Sequence, residues 1–270
     1  MTATKIELRE NAKRGGGQPK EWLQTLYTFA VPPNYLADGH ESFGRLRVIN
    51  EDRVTVGNGF GFHSHQEFEI FSYLVRGELK HQDSMDNVEI LKRGDIQLTS
   101  AGTGIRHSEV CNGNEDVHFV QIWTLPWKGS LKPRYFTRHF TEGEKQDKWA
   151  LLVAPVGSDG VTLEREGEGP APVQSDVAFW ATVLSPDRTI SREMPSKEGE
   201  RKAYLQVVQT SGFNHGEGKG AHVRVEIGGQ SVEMREGDGA FVHASPREEL
   251  RVTNLGSSTA EVLLFDVDLA

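Results

Sequence analysis

Two stretches of the chain share one pattern: VEILKRGDIQLTSAG at residues 88–102 and QSVEMREGDGAFVHA at residues 230–244. In each stretch an extended run leads through charged residues into a Gly-Asp pair and then into a second extended run. Because glycine tolerates a positive φ and aspartate hydrogen bonds to the turn backbone, the pairs that begin at Gly94 and Gly237 each predict a hairpin turn. The two turns are 143 residues apart, and this period predicts a duplicated β-barrel of about 135 residues per copy.

The rest of the chain is also predicted to be rich in β-structure. Short runs of β-branched and aromatic residues alternate with Gly, Asp and Asn clusters, and Gly supplies 29 of the 270 residues, more than the usual share of about 7%. This alternation is typical of an all-β sandwich or barrel. Residues 227–230 give a further turn signal, and residues 61–76 are predicted as one strand. The best helix candidate, residues 18–28, is weak and fits strand or loop as well.

Proline residues place the predicted domain boundary. Pro126 and Pro133 would interrupt any strand in residues 125–138, because proline cannot donate to a β-ladder. We therefore predict two domains, residues 1–132 and residues 133–270, each folded as a β-barrel.

Composition and charge exclude several classes of protein. Lys and Arg total 30 against 39 Asp and Glu, a net charge of −9, which disfavours a broad nucleic-acid interface. The single cysteine, Cys111, excludes an internal disulfide framework and a Cys-rich zinc finger. No apolar run approaches the roughly 18 residues of a membrane helix, and the N-terminal residues carry no apolar signal core. We expect an intracellular protein, cytoplasmic or nuclear, that binds neither nucleic acid nor membrane directly.

Candidate metal ligands occur in two motifs, GNGFGFHSHQEFEIFSYLVRGEL at residues 57–79 and AGTGIRHSEV at residues 101–110. Each motif carries a pair of ligand-type residues at i and i+2, and this spacing points both side chains to one face of a strand. Three imidazoles and one carboxylate suit a divalent transition metal, and on a six-coordinate ion they leave two open positions, as an oxygenase requires. The candidate ligands are His63, His65, His107 and Glu109.

Other acidic residues offer alternatives to this ligand set. Glu67 and Glu69 continue the parity of the first histidine pair if the strand runs straight, so either could replace Glu109 as a ligand. A supporting role for Glu69, as a partner of an imidazole N–H or as a structural acid, is the favoured interpretation. Glu109 is interpreted either as a plain fourth ligand or as a ligand that also acts as the catalytic base.

The remaining polar and aromatic residues near the motifs have structural interpretations. Cys111 shares the parity of the second ligand pair, and we interpret it as a small buried hydrophobic residue. His81 and Asp83 follow a strand end, which favours a turn hydrogen bond over orientation of a ligand histidine. His118 is predicted to be a core histidine with a satisfied hydrogen bond. The aromatic residues predicted to lie mostly in the core are Phe60, Phe62, Phe68, Phe71 and Trp123.

These motifs resemble known signatures. Gly57, five residues, His63-x-His65, three residues and Glu69 resemble the first motif of the cupin superfamily, and residues 94–107 resemble the second, with a longer lead to the histidine. The sequence is still more similar to pirin and the pirin-like proteins, densely over residues 20–140 and thinly beyond. The stretches that carry this resemblance are FGRLRVINEDRV (43–54), GFGFHSHQEFEI (59–70), GELKHQDSMDN (77–87), GDIQLTSAGTGIRHSE (94–109) and VQIWTLP (120–126).

The resemblance implies an all-β bicupin, with two face-to-face barrel domains of jelly-roll type, of which only the N-terminal one holds metal. It implies that the four candidate ligands bind one divalent ion, Fe²⁺ in first place with Mn, Cu, Ni, Co or Zn as alternatives. The second half has no His-x-His, and we expect His215, His222 and His243 to have no close partner there. The chain departs from the family at Ser64, where proline is usual, and at residues 66–67, and these departures leave the substrate open.

The resemblance also implies a function. Pirin-like proteins are associated with quercetin 2,3-dioxygenase activity, in which O₂ opens the ring of a flavonol and carbon monoxide is released. Glu109 is then the candidate base for the 3-hydroxyl proton of the substrate. The alternative is an iron-binding, redox-sensitive transcriptional co-regulator that acts through contact with a protein partner.

Overall fold

The structure, a computed structural model, describes residues 4–29 and 40–267. Within these residues nearly every element is a β-strand, which confirms the predicted all-β class. The first strands are β1 (Lys5–Arg9), β2 (Gly15–Lys20), β3 (Leu23–Tyr27), β4 (Leu46–Val54), β5 (Gly59–His65), β6 (Glu69–Arg76), β7 (Glu78–Asp83), β8 (Val88–Lys92), β9 (Asp95–Ser100), β10 (Ile105–Asn112), β11 (Val117–Thr124) and β12 (Arg134–His139), with a 3₁₀ helix at Asn11–Lys13.

The second half continues in the same way. Its elements are α1 (Glu142–Lys145), β13 (Ala150–Pro155), β14 (Ala171–Val173), β15 (Val177–Leu184), β16 (Thr189–Glu193), β17 (Arg201–Val207), β18 (Lys219–Ile227), β19 (Gln230–Glu236), β20 (Gly239–Ala244), β21 (Glu249–Asn254) and β22 (Ala260–Val267). No helix among the described residues is long and apolar enough to span a membrane.

The chain divides into two compact units that are not continuous in sequence. The N-terminal unit comprises Gly15–Phe140 and Leu152–Asp176, and the C-terminal unit comprises Met1–Arg14, Thr141–Leu151 and Val177–Ala270. The first residues belong to the C-terminal unit because β1 pairs antiparallel with β20. The linear domain division at residue 132 stays a prediction.

Two sheets build the N-terminal unit. A seven-stranded sheet has the order β12-β9-β6-β11-β4-β3-β2, and a four-stranded sheet has the order β5-β10-β7-β8. Strand β6 lies between β9 and β11. It reads EIFSYLVR and is buried at all but its last residue, so both of its faces are covered. A core cluster of this unit consists of Leu23, Val54, Leu74, Leu79, Leu91, Cys111, Val117 and Phe119.

The C-terminal unit repeats this plan. One sheet contains the neighbours β1-β20-β17-β22-β15, and a second has the order β16-β21-β18-β19. Strand β22 is buried along its whole length. Its residues Ala260, Val262 and Leu264 join a core cluster that includes Leu205, Val223, Met234 and Val242.

The structure corrects three local predictions. The two Gly-Asp pairs do form turns, with φ of 94° at Gly94 and 88° at Gly237, but neither turn closes a hairpin, since each leads from a strand of one sheet to a strand of the other. The predicted strand at residues 61–76 is two strands, β5 and β6, in different sheets. The weak helix candidate at residues 18–28 lies mostly in β2 and β3, which pair with each other.

One turn prediction is confirmed. Residues 227–230 form a two-residue hairpin between β18 and β19, in which Ile227 pairs with Gln230. Gly228 and Gly229 both have positive φ, 54° and 76°, as a type I′ turn requires.

Candidate metal centre

Three of the predicted ligands converge where β5 pairs with β10. His63 lies directly opposite His107 in this antiparallel pair, and His65 lies two residues along β5 on the same face. The ring centroids are 4.6 Å apart for His63 and His107, 4.7 Å for His63 and His65, and 4.8 Å for His65 and His107. The Nε2 atoms of His63 and His107 are 3.2 Å apart, so the i, i+2 spacing places three imidazoles around one point.

The fourth predicted ligand lies next to this cluster and not inside it. A β-bulge between His107 and Glu109 shifts the register of β10 against β5. Ligand atoms of His63, His65 and His107 lie within 4.8 Å of one another, and a second group with the same spacing contains His81, His107 and Glu109. His107 therefore belongs to both groups, and the full set of four ligands stays a prediction.

Two glutamine amides orient the Glu109 carboxylate. Gln121 Nε2 donates to Glu109 Oε2 at 2.7 Å, and Gln97 Nε2 donates to Oε1. Each amide is itself fixed, because Trp123 Nε1 donates to Gln121 Oε1 at 3.1 Å and the Tyr135 hydroxyl donates to Gln97 Oε1 at 3.2 Å. The buried carboxylate thus accepts from donors whose orientation the strands behind it determine.

Burial favours the neutral, metal-binding form of two of the three imidazoles, His65 and His107. Burial, reinforced by the neighbouring imidazoles His107 and His63, lowers the pKa of His65 to about 4. Burial and then His63 and His81 lower the pKa of His107 to about 3. His63 Nδ1 lies 2.8 Å from the Gly61 carbonyl oxygen, an arrangement that leaves Nε2 free to act as a ligand. Three imidazoles beside an oriented carboxylate fit a borderline divalent transition metal.

The comparisons with known proteins give the family. The Pirin family matches residues 7–124. The quercetin 2,3-dioxygenase of Escherichia coli strain K12 is 33% identical over 263 residues, 97% of this chain and 98% of its own. The crystal structure of YhhW from Escherichia coli is 32% identical, covers 98% of this chain and 99% of its own, and has a TM-score of 0.79.

This chain belongs to the pirin family. The family lies in the cupin superfamily, and its solved structures are bicupins, so the predicted fold is confirmed. A second structure, of the bacterial pirin YhhW in complex with nickel(II), is 32% identical, covers 97% of this chain and 99% of its own, and has a TM-score of 0.76. The pirin resemblance seen in the sequence motifs is therefore correct.

The two alternative carboxylate ligands are wrong for this pirin. The chain leaves the β5 strand after His65, and Glu67 has a φ of 59°, so the alternation of β5 does not continue. The Glu67 carboxylate instead accepts from the Ser130 N–H at 2.9 Å. Glu69 accepts from Ser100 Oγ at 2.5 Å and from the Gln174 N–H at 3.1 Å, which makes it the structural acid that the favoured interpretation proposed.

His81 is the residue whose position sequence reasoning placed least well. Asp83 does make the expected turn hydrogen bonds, accepting from the N–H groups of Met85 and Asn87. His81 makes none: it is fully buried, its Nε2 lies 3.2 Å from Asp83 Oδ2, and its ring stacks on Tyr135 with centroids 4.6 Å apart. The sequence did hold a usable signal. His81 lies two residues from both Leu79 and Asp83, so it shares their inward position on the strand.

Gln97 and Gln121 were missed altogether. Both interrupt apolar strands, since Gln97 lies between Ile96 and Leu98 in β9 and Gln121 precedes Ile122 in β11. A polar side chain inside a buried strand needs a hydrogen-bond partner, so their position in the sequence was a usable signal. The sequence could not name Glu109 as that partner.

The remaining predictions are mostly confirmed. Cys111 is buried in the apolar core cluster, and His118 Nε2 lies 3.0 Å from Glu51 Oε1. Phe71 is in the core, but Phe62 is exposed, and the Trp123 ring lies 4.8 Å from the His65 ring, so it borders the site.

The histidines of the C-terminal unit do have partners. His222 pairs with Glu233 at 2.9 Å and His243 with Glu200 at 3.1 Å, while His215 Nε2 lies 3.3 Å from the Arg14 carbonyl oxygen. The expectation of no close partner is therefore wrong, because Glu233 on β19 and Glu200, which directly precedes β17, each supply a carboxylate to one of the rings. That this unit holds no metal stays a prediction.

Proposed function

We propose that this pirin is a metal-dependent dioxygenase that opens the ring of a flavonol such as quercetin with O₂. The observation that carries the proposal is the convergence of three imidazoles beside a carboxylate oriented by two amides. Relatives named quercetin 2,3-dioxygenase at 32–33% identity over nearly the full chain support it.

The proposed ligands of the ion are His63, His65, His107 and Glu109, with Fe²⁺ as the proposed metal and Mn, Cu, Ni, Co or Zn as alternatives. The ion would supply a Lewis acid for the substrate oxygens and a site for O₂ chemistry. His63 and His65 are only partly buried on β5, the edge strand of its sheet. The substrate would therefore reach the site from the β5 side.

The chain's own residues would orient the substrate and hold its proton. Glu109 is the proposed base for the flavonol 3-hydroxyl, because its carboxylate is buried and one of its oxygens lies within 4.8 Å of a ring nitrogen of the proposed ligand His107. Gln97 and Gln121 would hold that carboxylate in place while a proton is transferred to it. Trp123, beside His65, offers an aromatic ring edge to a flat apolar substrate.

The test is loss of flavonol absorbance when the purified protein, reconstituted with iron(II), is mixed with quercetin under air. We expect the wild type and His118→Gln to consume quercetin and release carbon monoxide, and His107→Ala to lose at least about a hundredfold in rate, since a lost ligand removes the ion. His118 is a buried histidine of the same unit outside the site, so it is the matched control. Equal rates for wild type and His107→Ala would contradict the proposal, and iron binding without quercetin loss would favour the regulatory alternative.

A further inference from the structure

His81 lies beside the candidate centre on β7, the neighbour of β10 in the same sheet. In the pairing of β7 with β10, His81 lies opposite Glu109, and Asp83 lies opposite His107. All four side chains are buried. Alternation in an antiparallel pair puts these cross-strand partners on one face, so β7 presents a histidine and its carboxylate to the inner side of the centre.

The hydrogen bonds of Asp83 determine which nitrogen of His81 is available. Asp83 accepts from the N–H groups of Met85 and Asn87 and from Asn87 Nδ2, so its carboxylate acts as an acceptor. His81 Nε2, 3.2 Å from Asp83 Oδ2, is therefore the nitrogen that carries hydrogen, and in the tautomer that this bond selects Nδ1 carries a lone pair.

That lone pair has no hydrogen-bond partner. Among the residues that the structure describes, no group hydrogen bonds to His81 Nδ1 or to His107 Nδ1, and both atoms are buried. Buried polar atoms are nearly always paired. A histidine that donates one ring nitrogen to a carboxylate and keeps the other for an ion is the usual arrangement of a metal ligand.

We propose that His81, His107 and Glu109 form a second, inner binding position for a divalent transition metal ion. One ligand atom from each of the three lies within 4.8 Å of the other two, and two nitrogens with one oxygen suit Co²⁺, Ni²⁺, Cu²⁺ or Zn²⁺. The inference rests on the proposed centre, because the two positions share His107 and Glu109. They therefore compete for a single ion, which the outer position holds through His63 and His65 and the inner one through His81.

The experiment titrates the metal-free full-length protein with cobalt(II) chloride and follows the visible absorbance of the bound ion. The wild type is expected to bind one equivalent. His63→Ala/His65→Ala is expected to bind one equivalent still, at the inner position and with a changed spectrum. Adding His81→Phe to this double variant keeps the ring that stacks on Tyr135 but removes both nitrogens, and it should weaken cobalt binding at least about tenfold, whereas adding His118→Gln should not.

Each result decides between the two proposals. If the wild type binds no cobalt, the proposed centre itself fails. If the wild type binds one equivalent and the double variant binds none, only the inner position is overturned. Retention of cobalt after His81→Phe would also overturn it, because the ion would then be held without His81. Far-ultraviolet circular dichroism and thermal unfolding check each fold, and His81→Gln replaces His81→Phe if the latter does not fold.

Discussion

At the scale of the residue, Glu69 shows how a buried acid can weaken the fold. It is fully buried, and its carboxylate accepts from Ser100 Oγ and the Gln174 N–H. Burial, only partly offset by these hydrogen bonds, raises its pKa from 4.5 to about 7. The folded state therefore favours the protonated carboxyl. Its contribution to stability is fully present below pH 4.5 and is lost as the pH rises toward 7.

Glu69→Gln should remove this loss. A neutral amide can accept from the Gln174 N–H and donate to Ser100 Oγ, so relative to the wild type the variant should gain about 2–3 kcal/mol of unfolding free energy between pH 5 and pH 8. Urea unfolding at both pH values measures the gain. Glu67→Gln, at a carboxylate that accepts from the backbone of an exposed loop, is the control and should show no comparable change. A Glu69→Gln curve parallel to that of the wild type would contradict the assignment.

The same scale shows what spacing alone can predict. The i, i+2 pairs predicted that His63 and His65 share a face, because alternation is a property of a single strand. The same alternation did not extend to Glu67 and Glu69, because β5 ends at His65, before either residue. Gln97 lies on β9 and contacts Glu109 on β10, a strand of a different sheet. No local sequence pattern specifies which strands of two sheets face each other, so this contact could not be predicted.

At the scale of the element, the two Gly-Asp turns are the same device used twice. Asp95 Oδ2 accepts from the Lys92 N–H at 2.9 Å, and Asp238 Oδ2 accepts from the Arg235 N–H at 2.8 Å. In both copies the aspartate closes the turn onto the residue three positions earlier, and the glycine before it takes a positive φ. The repeat in the sequence thus predicted the turns and the duplication. It could not predict that each turn joins two sheets, because a turn's local chemistry does not select the partner of the next strand.

Gly237→Ala should destabilise the C-terminal unit by more than the backbone cost of placing alanine at a positive φ. A Cβ at Gly237 would meet the side chains of Asn11 and Gln209 closer than real Cβ atoms approach, and Asn11 cannot move freely because its amide donates to the Asn214 and Gly216 carbonyls. We expect a loss of about 3 kcal/mol, from left-handed strain plus overpacking. The measurement is the urea midpoint.

Gly229→Ala is the matched control for that substitution. Gly229 has a φ of 76°, and a Cβ there meets nothing within 4 Å, so it should cost only the roughly 1 kcal/mol of the backbone conformation. Equal losses for the two variants would show that the contacts around Gly237 contribute nothing.

At the scale of the whole molecule, the sequence predicted two β-rich halves, but each compact unit contains segments from both halves of the chain. Strand β1 pairs with β20, so the chain's first strand belongs with its last ones, and residues Leu152–Asp176 belong to the N-terminal unit. The first of these exchanges comes from pairing between strands that are more than a hundred residues apart in the sequence. Composition shifts and prolines indicate where a chain can turn, but they do not indicate with which distant strand the next strand pairs.

Metal binding should protect the two units unequally. The ligands His63, His65, His107 and Glu109 of the proposed centre lie on β5 and β10 of the N-terminal unit. An ion whose free concentration is 100 times its dissociation constant stabilises the state it binds by about 2.7 kcal/mol. Hydrogen exchange followed by mass spectrometry, with and without nickel(II), should therefore show slower exchange in β5 and β10 and unchanged exchange in β18 and β19. His107→Ala should abolish the protection, and His118→Gln should keep it. Protection centred on β18 and β19 would instead place the ion beside His222 and Glu233, which pair there, and would contradict the prediction that the C-terminal unit holds no metal.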